Sequence, residues 1–161
     1  MAFRLSLVLA LLGLFILLAF SRPAGAEPVE IHYAPVENLE HVDVGLLRSA
    51  RAKIDMAAYS LTDWAIVDAL MDAHRRGVAV RIVLDPSQQH ALDRMREIRG
   101  VIRMKAPRSY MHLKSYSVDG RILCSGSANV SASGLKQQDN DLIVVHEATA
   151  ARAFEDRFER M

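Results

Sequence analysis

The run Tyr110-Met111-His112-Leu113-Lys114-Ser115-Tyr116-Ser117-Val118-Asp119-Gly120, followed by Gly126-Ser127-Ala128-Asn129, groups a nucleophile, a cation and hydroxyl and amide donors within eighteen residues. His112 and Lys114 are two apart in a stretch that reads as a strand, so both side chains leave one face and converge on one small anion. A neutral imidazole attacks phosphorus near neutral pH, and an ammonium holds a non-bridging oxygen where negative charge develops. The chemistry this set fits is cleavage of a phosphodiester. On the residues alone, Lys114 also fits a solvated strand position, and Ser127 and Asn129 also fit simple turn formers.

The elements that must position these residues follow from periodicity. Alternation predicts a strand over Val29–Tyr33, and Val44, Leu47 and Ala50 give helical spacing over Asp43–Lys53. Ile54–Leu61 reads as a strand, Thr62 as the N-cap of a helix over Asp63–Arg76, and Gly77 as its stop. The β-branched block Val78–Leu84 is a strand, and Asp85-Pro86-Ser87 opens a helix over Gln88–Arg99. Then come a short strand (Val101–Met104), two strands (Met111–Val118 and Arg121–Ser125) flanking the hairpin signal Asp119-Gly120, a loop or helical turn (Ser131–Gln137), a strand (Leu142–His146) and an amphipathic helix (Ala148–Arg160). The order argues for an α/β layered fold, a mixed central β-sheet with helices on both faces.

The N-terminus carries Arg4, an uncharged, largely apolar run from Leu5 to Phe20, and the small residues Ala24-Gly25-Ala26. This is the layout of a signal peptide cleaved after Ala26, leaving residues 27–161 as the catalytic domain of a periplasmic or secreted protein. The competing reading is an uncleaved membrane anchor, for which 16 residues fall short of the roughly 20 that span a bilayer. Without residues 1–26, which hold Arg4 and Arg22 and no acid, the formal charge falls from +1 to −1, so bulk charge does not identify a polyanion as partner. Local charge says more: Arg94, Arg96, Arg99, Arg103, Lys105 and Arg108 precede Lys114 with only Glu97 among them, a candidate electrostatic guide for nucleic acid. Cys124 is the only cysteine, which rules out an intrachain disulfide, and its mid-strand position predicts a buried core thiol. His41 and Asp43 form an HxD pair with no further ligand cluster nearby, and a surface role is expected for them.

His112-x-Lys114 with Asp119 five residues on, then Gly126-Ser127-x-Asn129, resembles the HxKxxxxD signature and following GSxN segment of the phospholipase D superfamily. The order of elements is similar to its single-motif branch, which includes a bacterial periplasmic endonuclease and the mitochondrial zucchini-type proteins, over most of residues 29–160. The resemblance implies a phospholipase D-like α/β sandwich with one motif per chain. It implies His112 as the nucleophile that forms a phosphohistidine, Lys114, Ser127 and Asn129 as holders of phosphate oxygens, and a homodimer in which two copies of His112 meet at one phosphate. It also groups Asp119 with the catalytic signature. Turn chemistry before Gly120 already explains Asp119, however, and an ideal strand turns it away from His112, so a structural or supporting role is expected. Family members carry an acid that orients the motif histidine; here Asp139-Asn140 is the nearest equivalent, with Asp141 a competing carboxylate. No metal or other cofactor is implied, since lysine and the paired histidines supply the charge and the proton transfer.

The function expected from these residues is metal-independent cleavage of nucleic acid, DNA or RNA, by a nonspecific endonuclease. A phospholipase D-type lipid hydrolase uses the same group, with a membrane as partner if residues 1–26 stay attached. A catalytically silent binding or scaffold protein is the reading from a different class, and intact His112, Lys114, Ser127 and Asn129 argue against it.

Overall fold

In the computed structural model of the protein, residues 28–106 and 109–161 are described, apart from the side chains of Gln89, His90, Ala91 and Arg94. The signal-peptide reading of residues 1–26 and the candidate guide residue Arg108 lie outside the described residues. Among these, seven strands form one sheet: β1 (Val29–Ala34), β2 (Lys53–Ala58), β3 (Ala79–Leu84), β4 (Ile102–Met104), β5 (Lys114–Val118), β6 (Ile122–Gly126) and β7 (Asn140–Val145), in the order β1-β7-β6-β5-β2-β3-β4. The pairs β2–β3 and β3–β4 are parallel, and every other pair is antiparallel. This mixed sheet is the one the sequence predicts. It sets the carboxyl ends of β1, β2, β3, β4 and β6 and the amino ends of β5 and β7 along one rim.

One face of the sheet is covered by α1 (Leu39–Ser49), α2 (Trp64–Arg75), the short α3 (Ala132–Lys136) and a 3-10 segment (Pro86–Val101). Leu39, Leu47, Ile66, Leu70 and Leu135 from these elements pack with Ile54, Met56, Ile82, Val118 and Val144 of the sheet. The other face holds α4 (Ala148–Glu159), whose Phe154 and Phe158 pack on Ala57, Val83 and Met111. The same helix is fixed by charge: Asp55, fully buried, accepts from Arg81 at 2.6 and 2.8 Å, and Lys53 reaches Asp55 and Glu155.

Two helices differ from expectation. The buried stripe of α1 is Leu39, Asp43 and Leu47, so a carboxylate occupies a core position and counting apolar residues alone shifts the helix four residues toward the C-terminus. The 88–99 stretch buries Leu92, Met95 and Ile98, a three-residue spacing that suits 3-10 geometry, in which i and i+3 eclipse; Met95 departs from helical dihedrals (φ −107, ψ 32). Asp63, not Thr62, caps α2, accepting from the backbone N–H of Ala65 at 3.0 Å and of Ile66 at 3.3 Å.

Candidate active site

Backbone hydrogen bonds hold the segment before β5 in place. The buried Asp85, at the end of β3, accepts from the N–H of Met111 at 2.9 Å, and the N–H of Tyr59, just past β2, donates to the Leu113 carbonyl at 2.8 Å. Burial pushes the Asp85 carboxyl up, but hydrogen bonds from Ser87 and Met111 more than offset this and leave it below the usual carboxylate range. Residues 112 and 114 are thereby fixed at the rim. His112 is exposed and Lys114 half-buried, with Lys114 Nζ 3.1 Å from His112 Nδ1 and 3.0 Å from the His112 carbonyl. Partial burial pushes the Lys114 ammonium below the usual lysine range.

The GSxN segment reaches the same place from β6. Tyr116 pairs with Cys124, and the hydroxyls of Ser115 and Ser125 meet at 2.9 Å; the register continued by two residues sets Lys114 opposite Gly126. A β-carbon on Gly126 would stand 2.2 Å from the Asp141 carbonyl, so only glycine lets β7 approach here. The Ser127 N–H donates to Asp141 Oδ1 at 3.2 Å, its hydroxyl donates to Asn140 Oδ1 at 3.1 Å, and the Asp141 N–H donates to Ser127 Oγ at 3.0 Å. Val130 then docks the loop on the β2–α2 connection, its carbonyl accepting from Thr62 and Asp63. Between these anchors Asn129 holds a buried Oδ1 with no hydrogen-bond partner in the described structure.

His112, Lys114, Ser127 and Asn129 thus come to one rim from β5 and β6. Asp119 does not join them. It lies at the far end of β5, roughly 17 Å from Lys114 at ~3.3 Å per strand residue. There its carboxylate accepts from the backbone N–H groups of Ala52 (2.8 Å), Lys53 (2.9 Å) and Arg51 (3.0 Å). Although the signature groups it with the catalytic residues, its contacts are those of the structural role expected from turn chemistry: it clamps the α1–β2 connection and takes the positive φ of 53° that the hairpin turn requires.

For Asp139, which the resemblance implied as the orienting acid, no hydrogen bond to His112 is seen among the described residues. Asp139 is exposed in the loop before β7 and lines an outer cleft of about 360 Å³ with Tyr33, Pro35, Val36 and Ser127. Asp141 lines that cleft too, and it also lines the small cavity beneath Lys114 and bonds to Ser127, so of the two carboxylates Asp141 is the one joined to the cluster.

Among the described residues, Arg99 and Glu97 of the basic stretch run away from the site. The 3-10 segment runs back from the carboxyl end of β3 to the amino end of β4, so Arg99 and Glu97 lie at the end remote from His112, where Glu97 pairs with Arg75 of α2. Of the described members, Lys105 alone follows β4 to the rim that carries His112, and its ammonium is held by Ser109. The rim instead exposes Val36, Tyr110, Tyr33, Trp64 and Leu113.

Two further groups escaped the sequence reading. Tyr59 stands beside the cluster, its ring centroid 4.9 Å from that of His112 and 5.6 Å from Lys114 Nζ. Asp43, expected at the surface, is buried and accepts from the Tyr116 hydroxyl at 2.6 Å; burial pushes its carboxyl up to about 7. Cys124 is buried, and burial pushes its thiol up, as an inert core position requires.

Comparison with known proteins fits this geometry. The family model described as cardiolipin synthase, PLD-like domain, matches residues 44–161. A mitochondrial cardiolipin hydrolase of Chlamydomonas reinhardtii is 25% identical over 144 residues, covering 87% of this chain and 65% of that protein. A phospholipase D of Rickettsia bellii is 32% identical over 113 residues, 66% of this chain and 55% of its own. The chain spans less than two thirds of the length of these relatives. Among solved structures, Nuc of Salmonella typhimurium, a phospholipase D family member, superposes with a TM-score of 0.75 at 26% identity, covering 82% of this chain and 91% of Nuc. NucT of Helicobacter pylori shares the fold, with a TM-score of 0.70 at 20% identity over 83% of this chain and 94% of NucT. With the family model spanning residues 44–161, the HxK pair and the GSxN loop among them, the chain belongs to the PLD-like domain family named for cardiolipin synthase, within the phospholipase D superfamily.

Proposed function

We propose that the protein is an exported phosphodiesterase that cleaves nucleic acid as a nonspecific endonuclease, in a homodimer whose two chains share one site. The observation that carries the reading is the exposed His112 imidazole with the Lys114 ammonium 3.1 Å away, on an open rim that a polymer can cross. In the first step an imidazole nitrogen of His112 bonds to phosphorus and the bond to the leaving oxygen breaks. The copy of His112 on the second chain gives that oxygen its proton. In the second step this copy takes a proton from water, the water oxygen bonds to phosphorus, and the nitrogen–phosphorus bond breaks. Lys114 holds a non-bridging oxygen throughout, with the Asn129 amide as a further donor and the Ser127 hydroxyl joining them when it turns from Asn140 to the phosphate. Asp141 acts behind them, through Ser127.

Likeness to Nuc, at 26% identity over 82% of this chain, supports the nuclease reading. A lipid reading is favoured by the names of the cardiolipin hydrolase and phospholipase D relatives and by the apolar rim. Protein lacking residues 1–26 is expected to nick and degrade plasmid in excess EDTA and to leave cardiolipin vesicles intact. Release of phosphatidic acid from vesicles with plasmid untouched would move the assignment to the lipid reading.

A further inference from the structure

We propose that Tyr59 is a positioning residue that holds the Lys114 ammonium in its charged form and fixes the His112 imidazole beside it. The inference rests on the proposed function and adds a residue that neither the motif nor its spacing marks. His112 and Lys114 are in hydrogen-bond contact, and two adjacent cations would repel. Nucleophilic attack requires a neutral imidazole beside a charged ammonium. Desolvation works against this, since partial burial already pushes the Lys114 ammonium toward losing its proton.

The Tyr59 ring counters that loss. Lys114 Nζ stands 5.6 Å from the ring centroid, within the range at which the negative face of an aromatic ring attracts a cation. The same ring lies 4.9 Å from the imidazole of His112, tilted 47°, and limits where that imidazole can turn. Its backbone N–H bonds the carbonyl of Leu113, the residue between the two. One residue therefore touches the nucleophile, its cation and the peptide that joins them. When His112 becomes positively charged on bonding to phosphorus, the ring stands beside that charge as well. The ring makes these contacts, and among the described residues the hydroxyl makes no hydrogen bond.

The test uses bis(p-nitrophenyl) phosphate, a small diester that needs no polymer binding, with Tyr59→Phe, Tyr59→Leu and His112→Ala assayed across pH. Tyr59→Phe is expected within twofold of the parent protein. Tyr59→Leu is expected to lose about fivefold in kcat at little change in KM, and its alkaline limb is expected to move about half a pH unit lower. Wild-type kcat and limb in Tyr59→Leu, or a loss in Tyr59→Phe as large as in Tyr59→Leu, would overturn the role of the ring. His112→Ala separates this claim from the one beneath it. Activity surviving there removes the proposed function and this inference with it, whereas an inert His112→Ala beside a fully active Tyr59→Leu overturns the role of Tyr59 alone. Tyr59→Met, of similar reach and without a ring, gives the same comparison if the leucine variant does not fold.

Discussion

Asp119→Ala separates membership of a sequence motif from membership of a site. The carboxylate bonds three successive backbone N–H groups, of which Lys53 is half-buried while Arg51 and Ala52 are exposed. Water replaces the acceptor for the two exposed donors, at ~0.5–1 kcal/mol each, and the half-buried donor left unpaired costs ~1–2 kcal/mol, for a total of about 3 kcal/mol. A domain of this size then melts about 10 °C lower. Partial burial raises the Asp119 carboxyl, but the donors from Lys53, Ala52 and Arg51, with Arg121 nearby, more than offset this and hold it below the usual range. A depressed carboxyl stabilises the fold above its unfolded value, near ~3.9, and loses that effect as pH falls through the folded value. The gap between Asp119→Ala and the parent should accordingly be full at pH 7 and shrink below about pH 4. Asp119→Asn keeps tolerance of the positive φ and one acceptor oxygen, and should lose about half as much. Thermal unfolding at pH 7 and pH 3 measures the stability. At 25 °C the folded Asp119→Ala protein should cleave diester within about twofold of the parent rate, because roughly 17 Å of strand separates it from Lys114. An Asp119→Ala protein with parental stability and no activity would refute the clamp and return this carboxylate to the phosphate.

Other expectations follow from the same geometry. Asp141→Ala should cost at least about tenfold more activity than Asp139→Ala, because Asp141 bonds to Ser127 and shares the cavity under Lys114; the opposite order would restore Asp139 as the orienting acid. Activity depends on a charged Lys114, so with that ammonium lowered by burial the rate should fall at a pH below the usual lysine range, and a pH–rate profile flat through that range would contradict this. Asp43, raised to about 7, keeps a proton in the fold that the unfolded chain releases above about pH 4, so stability should decline as pH climbs from 4 to 7. Asp43→Asn should remove that decline and add roughly 2 kcal/mol at pH 8 in urea unfolding, and an unchanged slope would show that another group titrates.

The strands were legible because alternation and β-branched runs report a half-buried sheet directly, and the sheet's mixed character followed from the order of elements. Contiguity misled where the chain travels. Arg99 precedes the motif closely in sequence, yet it lies on a crossover that carries it to the rim remote from His112, whereas Asp119, a strand's length from Lys114, sits where its turn position had already set it. Asp43 was hidden because a carboxylate in a buried stripe looks like a gap in the apolar pattern. Tyr59 gave no signal because its partners are 53 and 55 residues further on, and only pairing of β2 with β5 brings them together.

The covalent state of His112 during turnover tests the shared site most directly. Protein mixed rapidly with excess diester, quenched in alkali and digested for mass spectrometry should carry an acid-labile phosphoryl adduct on His112, approaching one per two chains, with the protein sedimenting as a dimer. No adduct on His112, or full activity in a species that sediments as a monomer, would contradict the account.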